Sequence, residues 1–248
     1  MKYLLLAFTF LSVFLCTSTV YKSEGFKVEY KGALKNIMHK GDLSAKVNLQ
    51  DLETLEHLYA LGAVENLKGE ILILDGKPFI SSVQDQELAT SNSFTYKATL
   101  IVYTSIEKWK SFEIPDSIST YKDLEDYVYK MAKDNKIDVE EPFPFLLSGV
   151  ARSIDWHVID WKLGDNEHTH EKHINSGMHG TLENQNVEIL GFYSNSHHTI
   201  FTHHSTNMHL HVKTSDEKIA GHLDGFTLGP QMILQLPEIN KQGTKKSE

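Results

Sequence analysis

The chain has 248 residues, of which 40% are hydrophobic and 23% charged, so it is long enough for one large domain or two small ones of ordinary globular composition. Its formal net charge of −9 at pH 7 disfavours nucleic acid and anionic membrane surfaces as partners, because both carry negative charge themselves. Cys16 is the only cysteine.

The N-terminus has the pattern of a secretory signal peptide. Lys2 precedes the apolar run 3–16, and the small residues that follow place a cleavage site near Ser18. The run is too short to span a bilayer comfortably. We therefore expect residues 1–18 to be removed and the mature protein to be periplasmic or secreted, with no membrane contact after cleavage. Because Cys16 would leave with this segment, we expect the mature protein to have neither a disulfide nor a thiolate ligand.

Alternating apolar residues and turn residues predict many strands. Asp75-Gly76, between two apolar runs, predicts a β-hairpin whose first strand begins at Glu70. From the local sequence alone, Glu70 is best interpreted as a solvated carboxylate at the start of that strand. The other predicted strands cover 26–30, 94–103, 109–114, 145–156, 187–193 and 231–236.

Two helices are predicted. Leucines fall near one stripe over 49–61, and Gly62 is a natural terminator. Thr120 and Asp123 resemble a capping box, which starts a second helix through about residue 134.

Arg152 lies in an otherwise apolar strand. A guanidinium is costly to bury without a partner, so Arg152 is either exposed or paired with an anion. The sequence around it does not decide between these two alternatives.

Histidines are concentrated in the second half of the chain, where 12 of the 14 lie between His157 and His222. The segment 167–173 is rich in histidine, polar and loop-like. A solvated loop explains it better than metal scavenging does.

The most informative stretch is a predicted hairpin near the C-terminus. Residues two apart in a strand share a face, so His209 and His211 project together. If residues 215–218 form the connection, His222 lies opposite His211 and Asp224 lies opposite His209. This register places the apolar residues of both strands together on the other face.

Three histidines that converge from one hairpin, with an open fourth position, are typical of a catalytic zinc site. A solvated polar face would explain a lone His-x-His better than metal binding does. The third histidine in register, with Asp224 across the ladder, favours metal binding by His209, His211 and His222.

The same residues carry a resemblance to a known family. His209-Leu-His211 is followed by Gly221-His222, with His222 eleven residues after His211. Together with Leu67-Lys-Gly-Glu70 and Arg152-Ser153, this pattern resembles the alpha-acetolactate decarboxylases, over about residues 26–236.

The resemblance implies an α+β fold of two packed mixed β-sheet halves with few helices, often dimeric, with the metal site on the C-terminal β-hairpin. The domain would cover residues 19–240, with halves of about 26–140 and 141–240, followed by a disordered tail at 241–248.

The resemblance also implies an activity, the zinc-dependent decarboxylation of 2-acetolactate, a small 2-hydroxy-3-keto acid, to acetoin and carbon dioxide. Carried over by position, His209, His211 and His222 hold Zn²⁺, Arg152 is the catalytic arginine and Glu70 is the acid near the metal.

The chain departs from the family pattern in several places. Ile154, Asp155 and Trp156 replace the usual Val-Pro and the residues after it, and Glu238 is only a weak stand-in for a metal-site glutamate from a longer C-terminal tail. Two alternatives therefore stay open. One is a secreted zinc-binding protein that keeps the fold without the reaction, and the other is a zinc enzyme for another small keto or hydroxy acid.

Overall fold

The structure is a computed structural model that describes residues 25–239. The expected signal peptide at 1–18 and the expected tail at 241–248 lie outside the described residues. Within the described part, no helix is both long enough and apolar enough to cross a membrane.

The first half of the chain forms a seven-stranded sheet in the order β1-β7-β3-β4-β5-β6, with β2 paired to β7. Its strands are β1 (Glu29–Lys31), β2 (Val47–Asn48), β3 (Leu58–Val64), β4 (Glu70–Leu74), β5 (Lys77–Gln84), β6 (Glu87–Ser91) and β7 (Lys97–Ser105). The hairpin predicted at Asp75-Gly76 connects β4 to β5 and is confirmed.

The second sheet has six strands in the order β10-β11-β12-β9-β13-β8. They are β8 (Trp109–Glu113), β9 (Phe143–Val158), β10 (Met178–Tyr193), β11 (Met208–Thr214), β12 (Ala220–Thr227) and β13 (Ile233–Pro237). Because β10 also pairs with β9, the strands β9, β10, β11 and β12 are hydrogen-bonded in a closed ring.

Helices are short and few within residues 25–239. They are α1 (Leu34–Lys40), α2 (Tyr121–Asp134) and α3 (His170–Asn175), with two short 3₁₀ helices at Leu49–Leu52 and Glu65–Leu67. The predicted capping box is present in α2, where the side chains of Thr120 and Asp123 bond reciprocally to each other's backbone. The segment predicted as a solvated histidine loop contains α3, which Thr169 caps.

These elements confirm an α+β fold of two packed sheets with few helices. One correction concerns strand direction, because every pair of neighbouring strands in both sheets is antiparallel rather than mixed. The chain passes from the first sheet to the second between Ser105 and Trp109, where β8 begins and pairs with β13.

The helix predicted over residues 49–61 is wrong. Only a 3₁₀ turn forms at its start, and β3 then runs between β4 and β7 in the centre of the sheet. Leu58 and Leu61 are fully buried there, so tertiary burial outweighs the helical pattern. Gly62 is not a helix terminator. A Cβ at this position would lie 2.0 Å from the Leu100 carbonyl oxygen, so glycine permits close packing of β3 on β7.

An apolar layer joins the two sheets. Leu61, Leu72 and Phe79 of the first sheet pack in one buried cluster with Leu190 and Phe192 of β10. Burial of this layer is the main force that fixes the sheets face to face. The layer brings the start of β4 against β12, and the candidate site forms at this junction.

Candidate metal centre

At the centre of the hairpin formed by β11 and β12, the strands pair in the register that the sequence predicts. His211 lies opposite His222, and the Thr214 N–H donates to the Ile219 carbonyl at the turn. Met208, Leu210 and Val212 alternate with the histidines of β11 and are buried in the core of the second sheet. This apolar face therefore holds the histidine face toward the first sheet.

The structure brings His209, His211 and His222 together. The ring centroid of His209 lies 5.1 Å from that of His211 and 5.2 Å from that of His222. The ring centroids of His211 and His222 are 5.4 Å apart. One ring nitrogen from each lies within 4.8 Å of the others. Three ligand atoms at this spacing can surround a single metal ion with little movement.

The chemistry of these nitrogens fits a transition metal. Nδ1 of His209 and both ring nitrogens of His211 are buried and have no hydrogen-bond partner among residues 25–239. Such groups are rare unless something else satisfies them. Burial, and then the neighbouring histidines, lower the pKa of His209 and of His211 well below the usual value. The imidazoles are therefore neutral at pH 7, which is the form that binds zinc and other divalent transition metals.

Glu70 completes this side of the site. It is only 5% exposed, so the interpretation as a solvated strand-start carboxylate is wrong. Its two oxygens lie 3.6 Å from Nε2 of His211 and 3.8 Å from Nε2 of His157. Burial raises the pKa of Glu70 well above the usual value, the backbone N–H of Ile159 opposes this rise, and Asp224 adds to it. Glu70 can therefore hold a proton beside the histidines.

Asp224 does not pair with His209 as predicted. The pairing of β12 with β9 contains a bulge between Leu223 and Gly225, which turns the carboxylate toward two other histidines. It lies 2.7 Å from Nδ1 of His157 and 3.1 Å from Nδ1 of His222. Burial alone would raise the pKa of Asp224, but these two hydrogen bonds outweigh it and hold the pKa well below the usual range.

His157 is the site residue that the sequence did not reveal. It lies on β9 opposite His222 and is 5% exposed. The only local signal is a histidine that continues a predicted strand of apolar and aromatic residues. Its place at the site depends on the pairing of β9 with β12, which brings together residues 65 positions apart, and no local pattern reports that pairing.

These groups line a cavity of about 640 Å³, a size typical of small-molecule sites. Its walls are mostly apolar and include Ile37, Leu100, Phe201 and Met208. Further histidines lie along it, namely His39, His170, His173, His203 and His204. The site therefore combines apolar walls with imidazole groups, Glu70 and Asp224.

Two residues that the family resemblance brought into question lie outside the cavity lining: Arg152, the implied catalytic arginine, and Glu238, the weak stand-in for a metal-site glutamate. Arg152 is exposed on β9 and is not one of the residues that line the cavity. Glu238 is also exposed, and its N–H donates to the Lys108 carbonyl at the start of β8. Among the described residues that line the cavity, the one lysine or arginine is Lys35 of α1.

The fold and the site together define a class: a protein of two packed antiparallel sheets with a buried three-histidine centre in a small-molecule cavity. Comparison with known proteins makes this class specific. The sequence model of the alpha-acetolactate decarboxylase family matches residues 30–245. The chain belongs to this family.

Solved structures share the fold. The alpha-acetolactate decarboxylase of Bacillus subtilis strain 168 is 12% identical with a TM-score of 0.67, and the match covers 86% of each chain. A Staphylococcus aureus protein of unknown function, described as similar to alpha-acetolactate decarboxylase, is 15% identical with a TM-score of 0.64 over 84% of each chain. A search of curated proteins finds no match to this chain.

Proposed function

We propose that this protein is a zinc-dependent decarboxylase that converts 2-acetolactate to acetoin and carbon dioxide. The observation that supports it most directly is the set of unpartnered buried nitrogens on His209 and His211, beside the buried carboxyl of Glu70. Family membership supports the reaction class, and the imidazole donors suit zinc.

His209, His211 and His222 would hold the ion. Bound there, zinc supplies a Lewis acid that stabilises negative charge on the hydroxyl and keto oxygens of the substrate. The apolar walls of the cavity exclude water around the reacting carbons, and this strengthens every charge interaction inside the site.

Glu70 would supply the proton. When the bond between the carboxylate carbon and C2 breaks, its electron pair moves toward the neighbouring keto group and carbon dioxide leaves. A proton must then reach C2 to give acetoin. Glu70, whose pKa burial raises well above the usual value, would deliver that proton to one face of C2, which makes the product a single enantiomer.

The size of the cavity favours a second candidate substrate class. A five-carbon acid fills only part of 640 Å³, a volume that ordinarily accommodates drug-sized ligands. A 2-hydroxy-3-keto acid with a larger apolar substituent would use the apolar walls as well. Its turnover can be compared directly with that of acetolactate.

The decisive experiment incubates the purified, zinc-loaded protein with racemic acetolactate and measures acetoin. Production well above the spontaneous rate supports the proposal, and a zinc-loaded protein with no such excess contradicts it. Metal analysis addresses the alternative of a zinc-binding protein without turnover. Within residues 25–239, a second candidate ligand set, His157, His222 and Asp224, shares His222 with the first, so we expect one tightly held zinc per chain. Several tightly held zinc ions without acetoin would favour the alternative.

A cationic side chain would bind the substrate carboxylate, and the two candidates are Lys35 and Arg152. Substitution of each one distinguishes between them. We expect Lys35→Ala to raise the KM for acetolactate about tenfold, because loss of a charge-assisted hydrogen bond from an exposed lysine costs about 1.4 kcal/mol. Arg152→Ala should change KM less, since Arg152 lies outside the cavity lining. Steady-state kinetics of both variants decide the matter. The opposite ranking would give the role to Arg152, as the family resemblance implies.

We further propose that the mature protein acts in the periplasm or outside the cell, on the strength of the apolar run at 3–16 and the small residues after it. Expression of the full chain should yield an exported product that lacks about the first 18 residues. Intact mass and N-terminal sequencing measure this. An intracellular product that retains Met1 would contradict it.

A further inference from the structure

His157 lies beside the three-histidine set without belonging to it. Its ring centroid is 4.8 Å from that of His222, yet the ligand atoms that cluster around His209 and His211 do not include any of its atoms. Its two nitrogens have separate neighbours. Nδ1 lies 2.7 Å from Asp224, and Nε2 lies 3.8 Å from Oε1 of Glu70.

The hydrogen bond to Asp224 fixes both the tautomer and the orientation of the ring. An ionised carboxylate only accepts hydrogen bonds, so Nδ1 of His157 carries the proton and donates it to Asp224. Nε2, on the other side of the ring, faces the carboxyl of Glu70, and both side chains are buried. Catalytic hydrogen bonds are often long in ligand-free structures, so a separation of 3.8 Å is compatible with contact in the complex.

We infer that His157, oriented by Asp224, is a positioning residue that holds the carboxyl of Glu70 at one face of the substrate. Asp224 thereby links the two parts of the site, because its other oxygen holds His222. His157 also forms a candidate ligand group with His222 and Asp224. In the proposed function His209, His211 and His222 hold the ion, so His157 acts instead on where the proton donor lies, and so on which face of C2 receives the proton. Its catalytic consequence rests on the proposed function, whereas its structural consequence does not.

Two substitutions separate the roles of the two ring nitrogens. The polar end of glutamine stands near the position of Nε2, so His157→Gln keeps a group that reaches Glu70. The polar end of asparagine stands near Nδ1, so His157→Asn keeps the contact with Asp224 and loses the one with Glu70. If His157 acts through Glu70, Gln should preserve function better than Asn.

The expected kinetic result follows from loss of an orienting group. His157→Asn should lower kcat about 10- to 100-fold, as outer-shell substitutions do, with KM changed less than about threefold. It should also reduce the enantiomeric excess of the acetoin formed. His157→Gln should retain most of both properties, and zinc affinity should change little in either variant. Equal losses in both variants, or a preserved enantiomeric excess in His157→Asn, would overturn the inference. Loss of zinc affinity in His157→Gln alone would do so too, since it would place the role at Asp224 and His222.

A spectroscopic measurement tests the geometry without turnover. Proton–nitrogen correlation spectra of the imidazole rings should show His157 protonated at Nδ1. Its Nε2 signal should shift in Glu70→Ala and stay unchanged in Glu65→Ala, a half-buried glutamate outside the cavity. An Nε2 signal that is insensitive to Glu70→Ala refutes the contact, even if the wild-type protein produces no acetoin or His157→Asn does not fold. A shift without acetoin production would instead refute only the proposed reaction.

Discussion

His211→Ala is expected to lose tightly bound zinc and all acetoin production above the spontaneous rate. Its ring is fully buried, and neither of its nitrogens has a hydrogen-bond partner among the described residues, so the substitution removes one of the three imidazole ligands. We expect zinc affinity to fall by more than about 100-fold, since even outer-shell changes cost 10- to 100-fold. His209→Ala should behave alike. Competition with a fluorescent chelator measures the affinity, and acetoin release measures the activity.

The control for this prediction is His57→Asn. His57 is exposed, forms a hydrogen bond with Asp75 and lies outside the cavity lining. Its φ of 52° is a conformation that asparagine tolerates. This variant should keep the zinc content and activity of the wild type. Full activity in His211→Ala, after exhaustive removal of zinc, would show that the three-histidine set is not the reaction centre.

Glu70→Gln is expected to keep zinc and lose turnover. The amide has the size of the carboxyl group and suits the same buried position, but it cannot deliver the proton. General acid catalysis contributes roughly 10²- to 10⁴-fold, and a loss of kcat in that range is the expected result. Substrate binding should change little, because the acid acts only after carbon dioxide has left. Steady-state kinetics at matched zinc occupancy provide the measurement.

Glu65→Gln is the matched control for the proton donor. Glu65 precedes β4 by five residues and accepts a hydrogen bond from the Ala45 N–H at 3.3 Å. Glutamine can accept the same bond, so activity should be preserved. If Glu70→Gln instead loses zinc in parallel with activity, then Glu70 acts as a metal ligand and the proton has another source.

The central part of the candidate site was predictable because its three histidines lie close together in the sequence. His209, His211 and His222 lie on two strands joined by one turn, so strand periodicity and turn length together place them on one face. The strand and hairpin at Glu70 were predictable for the same reason. Within β4, however, the local pattern indicates only where the strand begins, and burial of Glu70 depends on the second sheet packing above it.

The remaining features depend on pairings between distant parts of the chain. His157 reaches the site through the pairing of β9 with β12, and Asp224 turns toward it through a bulge that leaves no sequence signature. The helix expected over 49–61 failed because leucine periodicity cannot distinguish an amphipathic helix from a 3₁₀ turn followed by a central strand. Arg152 was expected at the site from its sequence position and is not found there. Its position in the sequence matches the family pattern, but its exposure depends on which face of β9 is covered.

The ring of strands β9 to β12 has a kinetic consequence. Both strands that carry the three histidines have a hydrogen-bonded neighbour on either side, so neither is an edge that can peel away from the domain. Slow amide exchange is expected along such interior strands, since their opening requires cooperative unfolding of the ring. An ion held by this hairpin would therefore enter and leave by way of the cavity, and its residence time would be set by that route rather than by local fraying.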